Sequence, residues 1–368
     1  MLLLAGCHPP VRIGAIVSRS GAAVEYGERV ARGFDLAVEE INARGGVEGR
    51  RLELVYRDDS TNGDMGLSAA RDLVERERVN VVLGPVSSTV MLRVAPYCER
   101  QRVLLLSPSA SAPQITDAGE YIFRAYPSDV LEGASMAEFA RDLGLDRVGI
   151  LAVDNEYGSS LSRVFESRFQ DAGGTIALVR TFVEGDASSR STAVQGMAAS
   201  APRGIYLAAY GGDVAAVLAL LRVSGQRPLV LGTSAVTADT IRQAGSAAEN
   251  AVFPSASFDS DAQDPAPRQF VEAYRARYQD APDVYAAHAY DAVHVLVEAA
   301  RRAGTWRPDD LRRALLRINN HDGASGRMAF DPNGDVLQYP RLFVVRGGRF
   351  IAYDRFVEAG GALPVPPR

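Results

Sequence analysis

The chain has 368 residues, a formal net charge of -5 and a pI near 5.6, a balance that argues against nucleic acid as a partner. Hydrophobic content of 47% and charged content of 23% describe a globular chain, neither disordered nor membrane-spanning. At this length two domains are the natural division, because a single core stops growing well before it.

All 40 basic residues are arginine. The absence of lysine removes the phosphate-binding lysine of nucleotide-hydrolysing P-loops and the Schiff-base lysine of pyridoxal enzymes and aldolases. The chain opens MLLLAGCHPP, in which Leu4-Ala5-Gly6-Cys7 resembles the lipobox of bacterial lipoproteins. Small residues before a cut fit a peptidase cleft and the leucines fit an apolar signal region, although the run is short and has no charged leader. Residues 1–10 therefore read as the remnant of a lipoprotein signal whose start lies further upstream. Cys7 is then a lipid anchor and the body works outside the cytoplasm. Cys98 reads as a small buried apolar residue, so no disulfide is expected.

Residues 12–17 form the first expected strand, and 25–44 a helix with Val30, Phe34, Ala37 and Ile41 on one face, stopped by Gly45-Gly46. A strand at 52–56 and a helix to about residue 79 follow. The stretch 79–116 then reads strand, small-residue turn, helix, strand, small-residue turn. Its two apolar runs, 79–83 and 103–106, suit parallel strands buried on both faces. After a pause at 121–129 the alternation resumes, with strands at 147–153, 175–182, 204–209 and 229–231. Helices at 160–172, 213–223 and 238–244 lie between them. A second pause at 251–257 precedes helical stretches at 270–278, 285–303 and 308–318 and short strands at 328–330 and 342–345. This alternation predicts an α/β protein with two similar Rossmann-like lobes and parallel sheets.

Each strand of the 79–116 unit ends in serine: Ser87 and Ser88 after the first, Ser107, Ser109 and Ser111 after the second. Either turn alone reads as a helix cap. Both in one crossover unit read as a place to hold a small polar ligand, because open α/β sheets bind ligands beyond the carboxyl ends of their strands. Tyr26, Tyr157 and Tyr210 each fall just past a strand end and suit ligand walls, whereas any one alone suits packing. His288 and His294 are six apart on one helix and point apart, so no metal site is expected. Asp58-Asp59 reads as a helix cap and a solvated charge. No nucleophile stands with a base, and no cofactor motif follows a strand, so an enzyme is not expected.

These segments, with SGAAVEYGERVARGFDLAVEEINARGG, DNEYG, IYLAAYGGDVAAVLALLRVSG, HAYDAV and GRMAFDPNGDV, resemble the leucine/isoleucine/valine-binding proteins, the type I periplasmic solute-binding proteins of branched-chain amino-acid ABC transporters. The resemblance runs from about residue 12 to 349. It implies two lobes joined by three crossing segments, a discontinuous N-terminal lobe (11–126 with 254–334) and a C-terminal lobe (127–253 with 335–368). It also implies a monomer that binds a small solute between the lobes and is recognised by a membrane permease. Ser88, Ser109 (through its backbone) and Ser111 match positions that hold an amino acid's carboxylate and ammonium. Tyr26 matches a wall residue of that lobe, and Tyr157 and Tyr210 match residues that close over the ligand.

One position departs. The family's amino-acid binders carry a glutamate shortly after the strand ending LGT, and here Ser234 takes that place. Serine cannot neutralise a buried ammonium. Of the nearby acids, Asp213 and Asp239 read as helix starts, and Asp58 and Glu156 as turn residues. The expectation is therefore a carboxylate or neutral polar solute in place of leucine, isoleucine or valine. The same fold also serves lipoprotein activators of cell-wall synthases and ligand sensors, the alternative function. The lipobox carries a prediction of its own: metabolic labelling with a palmitate analogue marks the full-length precursor and misses Cys7→Ala, whereas equal labelling of both rules the anchor out.

Overall fold

The computed structural model describes residues 9–225, 227–256, 258–260 and 264–366, and Cys7 and His8 lie outside them. The chain divides into two compact units, Met1–Pro127 with Ser257–Gln338, and Ser128–Ala256 with Tyr339–Arg368. It therefore passes from one unit to the other three times.

The first unit holds β1 (Val11–Val17), α1 (Val24–Ala43), β2 (Leu52–Asp58), α2 (Gly63–Arg71), β3 (Val81–Leu83), α3 (Ser88–Gln101), β4 (Leu104–Ser107) and β5 (Ile122–Arg124). Its sheet runs β2-β1-β3-β4-β5, with every neighbouring pair parallel. All residues of β3 and β4 are buried, as strands covered on both faces must be. Next come α4 (Asp129–Asp142), β6 (Arg147–Val153), α5 (Glu156–Asp171), β7 (Thr175–Phe182), α6 (Ala187–Ala199), β8 (Gly204–Ala208), α7 (Gly211–Val223), β9 (Leu229–Leu231), α8 (Ala238–Ala244) and β10 (Val252–Ser255). Helices α9 (Pro265–Tyr278), α10 (Val284–Ala303) and α11 (Pro308–Leu315) and the hairpin β11 (His321–Gly323) and β12 (Gly326–Met328) return to the first unit. The last elements, β13 (Arg341–Arg346), β14 (Arg349–Ala352) and α12 (Tyr353–Glu358), complete the second. Its sheet is β14-β13-β10-β9-β8-β6-β7, parallel from β7 to β10 and antiparallel at β13 and β14.

In each unit the strand order reverses at one place, between β1 and β3 and between β6 and β8. The loops leaving those strands diverge to opposite faces and open a crevice at the carboxyl edge. Two glycines let the chain make these turns. Gly84, directly after β3, has φ +92, and a Cβ there would come 2.0 Å from the Ile16 carbonyl oxygen. Gly158 lets the start of α5 lie against β6, since its Cβ would meet the Val153 oxygen at 2.1 Å.

Several local expectations are corrected. The pause at 121–129 holds the short strand β5 and is followed by an unexpected helix, α4, which buries Asp129, Glu132 and Gly133 beside Met136 and Phe139 and so shows no clean apolar stripe. Helix α6 was also not expected. Asp58 and Asp59 cap no helix, because Asn62 caps α2 by accepting the Asp64 and Met65 N–H groups. Asp59 is fully buried and accepts from the Ser18 hydroxyl at 2.6 Å. Asp58 accepts from the Arg19 N–H and the Ser20 hydroxyl and ties the β1 and β2 turns together. Helix α2 passes at Asp72–Arg76 into a π turn. Beyond it, the expected strand at 328–330 pairs as Gly326–Met328.

The serine turns rest on a buried guanidinium. Arg124, at the end of β5, is fully buried and donates to both oxygens of Asp335 at 2.6 Å and to the carbonyls of Ser111 and Ala112 at 2.9 and 2.8 Å. Thr116 closes the ring with a hydroxyl bond to Asp335 of 2.6 Å. Removing one partner of such a pair strands a buried charge. Asp335→Ala therefore destabilises the first unit by ~3–5 kcal/mol in urea unfolding, and the apolar pair Arg124→Met with Asp335→Leu by less. Equal losses in the two variants would refute this account of the ring.

Candidate functional site

In the first unit the polar groups gather at the carboxyl edge beside the β1/β3 switch. Ser87 caps α3 by accepting the Val90 N–H, so the cap reading holds for that residue. Ser88 does something else. Its hydroxyl oxygen accepts from Ser111 N–H and Ala112 N–H, both at 3.2 Å, and so joins the two serine turns across 23 residues of sequence. With its lone pairs used, the hydroxyl proton remains to be donated. The Ser107 hydroxyl donates to the Pro85 carbonyl at 2.7 Å and accepts the Ala110 N–H at 2.9 Å. Ser109 N–H points to Ser107 Oγ and its own hydroxyl to the Val86 carbonyl, so both its donors serve the turn.

Tyr26, in the first turn of α1, packs edge-on against Tyr285 of α10 with ring centroids 4.9 Å apart. Tyr285 stacks parallel to Tyr126, which follows β5, and Tyr126 lies 4.8 Å from His288. The His288 ring bonds the Ala125 carbonyl at 2.6 Å, and burial pulls its pKa down to about 4, so it stays neutral. Tyr126 and Tyr285 were not singled out from sequence. Tyr285 belongs to the buried face of a long helix, where an aromatic residue carries no separate signal.

The second unit places Tyr157 and Tyr210 beside its own switch, after β6 and β8, with rings stacked at 4.8 Å. Ser234, three residues past β9, is 6% exposed and its N–H donates to Glu132 Oε1 at 3.0 Å. Glu132 is thus a buried carboxyl at the position from which sequence reading found the acid missing. The acids considered from sequence are engaged elsewhere: Asp213 by Arg190 and the Gly185 N–H, Asp239 by Arg242, Glu156 by Arg163, and Asp58 by its turn. The family's glutamate is absent at Ser234, as the sequence shows, but a carboxyl from α4, which sequence reading did not consider, lies against it. Glu132 was missed because α4 was not recognised, although Ser128-Asp129 after Pro127 is a helix-start signal that could have placed it on a first turn.

Burial first, and then the Asp129 carboxyl in the same helical turn, push the Glu132 pKa up to about 8, against the pull of the Ser234 hydrogen bonds. Burial and these two acids also hold the Tyr157 and Tyr206 hydroxyls far above their usual range. Both hydroxyls are buried without a well-formed hydrogen bond among the described residues.

Two α/β units, each with polar and aromatic groups at the switch point of its parallel strands, suit a small-molecule-binding protein. The chain belongs to the periplasmic binding protein family, whose model matches residues 10–348. A binding protein for leucine, isoleucine, valine, threonine and alanine from Pseudomonas aeruginosa is 28% identical over 87% of this chain and 85% of its own length. A leucine-binding protein from Thermotoga maritima superposes with a TM-score of 0.87 at 28% identity, covering 93% of this chain and 97% of that one. A branched-chain amino-acid substrate-binding protein from Streptococcus pneumoniae, solved with isoleucine, superposes at 0.85 with 25% identity, over 93% and 98%.

Glu132 also sets a pH dependence. An acid with a raised folded-state pKa favours the fold while it stays protonated. Its contribution is therefore complete below the ordinary value of 4.5, declines as the unfolded chain ionises, and is lost above about 8. Glu132→Gln flattens the fall of Tm across that window; a profile parallel to wild type would contradict the burial of a neutral carboxyl here.

Proposed function

We propose that the chain is the extracytoplasmic solute-binding receptor of an ABC importer, taking up an amino acid or a related small polar or carboxylate solute. The observation that carries this is the Ser88 bridge at the β1/β3 switch, in a chain that matches the family over residues 10–348. Ser88 offers a hydroxyl proton, and Ser109 and Ser111 shape the turn that presents it to a solute carboxylate. Tyr26 walls that edge, while Tyr157, Tyr210 and Ser234 form the receiving edge of the second unit. Lobe closure over the solute and recognition of the closed form by a membrane permease follow from the family resemblance, as does a monomeric receptor. Cys7 is proposed as its lipid anchor.

Thermal-shift screening with amino acids and small carboxylates tests the receptor. A ligand at a hundred times its dissociation constant stabilises by about 2.7 kcal/mol. Ser88→Ala and Ser111→Ala each weaken that ligand by ~1–3 kcal/mol in titration calorimetry. Unchanged affinity in both would place the solute elsewhere.

A further inference from the structure

We propose that the amino edge of the first unit is a lipid-facing surface, where a row of arginines and Trp306 rest on the anionic headgroups of a bilayer. The inference rests on the lipid anchor proposed at Cys7 and adds which face of this unit meets the membrane. Strands β2, β1, β3 and β4 are parallel neighbours, so their starts lie side by side over about 14 Å. Exposed arginines lead into three of them: Arg51 directly before β2, Arg78 shortly before β3 and Arg102 shortly before β4. Before β1 come Pro9 and Pro10, both exposed, whose carbonyls accept from the Arg50 guanidinium at 3.0 and 3.4 Å. Backbone bonds tie the row together, Val11 N–H to the Arg51 carbonyl at 2.8 Å and Leu104 N–H to the Asn80 carbonyl at 3.1 Å. The Asn80 side chain donates to the Trp306 carbonyl at 3.5 Å, which brings half-buried Trp306 and exposed Arg307 to the same edge.

The charge of this edge departs from that of the whole chain, whose formal net charge is -5. Arg51, Arg78, Arg102 and Arg307 form no salt bridge among the described residues. The acids beside them are mostly engaged. Glu77 is held by Arg12 and Arg57, each at 2.8 Å, Glu53 lies 3.6 Å from Arg12, and Asp309 accepts from the Tyr121 hydroxyl. Glu48 is the exposed acid of the row.

A planar guanidinium fork suits phosphate oxygens, and a tryptophan ring settles at headgroup level with its apolar body toward the acyl chains. Cys7 precedes Pro9 by two residues, a reach of ~7 Å at most. An acyl chain on Cys7 therefore holds this edge within about a Debye length of the bilayer, the range over which anionic lipid attracts arginine. A single acyl chain binds reversibly, and a basic patch beside it supplies a second hold. The serine turns lie at the opposite ends of the same strands, so the polar edge of this unit faces away from the lipid.

The test uses the full chain carrying Cys7→Ala, so that no acyl chain contributes, and vesicles of phosphatidylcholine with or without phosphatidylglycerol. The expected result is co-sedimentation with the phosphatidylglycerol vesicles at low salt, lost at high salt and absent on phosphatidylcholine alone. Trp306 is the one tryptophan of the chain, so its emission reports contact directly and shifts to the blue on binding. Arg51→Gln, Arg78→Gln, Arg102→Gln and Arg307→Gln together weaken the partition about thirtyfold or more at unchanged Tm. The same change at Arg168, Arg222, Arg242 and Arg349, exposed arginines of the second unit, removes equal charge and leaves the partition within about twofold. Equal binding to both kinds of vesicle, an unshifted Trp306 emission, or equal losses in the two sets of variants would overturn the lipid-facing edge while leaving anchor and receptor intact. If the palmitate analogue misses Cys7 and the vesicles still bind, the anchor falls and the arginine edge stands on its own.

Discussion

The Arg124 guanidinium is the constraint on which the first unit depends. A fully buried cation must be met on every face, and its partners come from three places in the chain: Asp335, Thr116 and the carbonyls of Ser111 and Ala112. Meeting them fixes the second serine turn to the end of β5 and to the segment just before the chain leaves for Tyr339. A lysine could not do this, because the bidentate grip on Asp335 and the fork toward two carbonyls need a planar donor set. The turn that shapes the polar edge is thus rigid because a charge lies beneath it.

The second unit uses charge in the opposite way. There two carboxyls are buried at the start of α4, Ser234 N–H donates to Glu132, and burial favours the neutral form of that carboxyl. One unit hides a satisfied cation that shapes the fold. The other buries a carboxyl whose proton the fold holds on to.

Much of this was legible in the sequence. Short β-branched runs with serine or tyrosine at their ends announced the parallel strands and their carboxyl edges, because period and turn chemistry are local properties. The departure at Ser234 was legible too. Glu132 was not, since α4 buries polar residues and lacks the apolar stripe by which helices are recognised. Asp59 failed for a related reason: its partner Ser18 lies 41 residues away, and only the pairing of β1 with β2 brings them together. The Arg124 ring spans 211 residues and left no local trace.

The three crossings of the chain bear on how the protein is made. Helix α1 packs on α10, and Gly33 is needed there because a Cβ would lie 2.3 Å from the Ala286 carbonyl oxygen. That partner is synthesised some 250 residues later. The first unit, although begun first, waits for its closing helices until most of the second has been made. During that interval the apolar face of α1 has no helix to cover it, and loop-closure entropy slows its capture. A chain exported unfolded would meet the same delay on the far side of the membrane, so holding factors would matter most for its earliest segment.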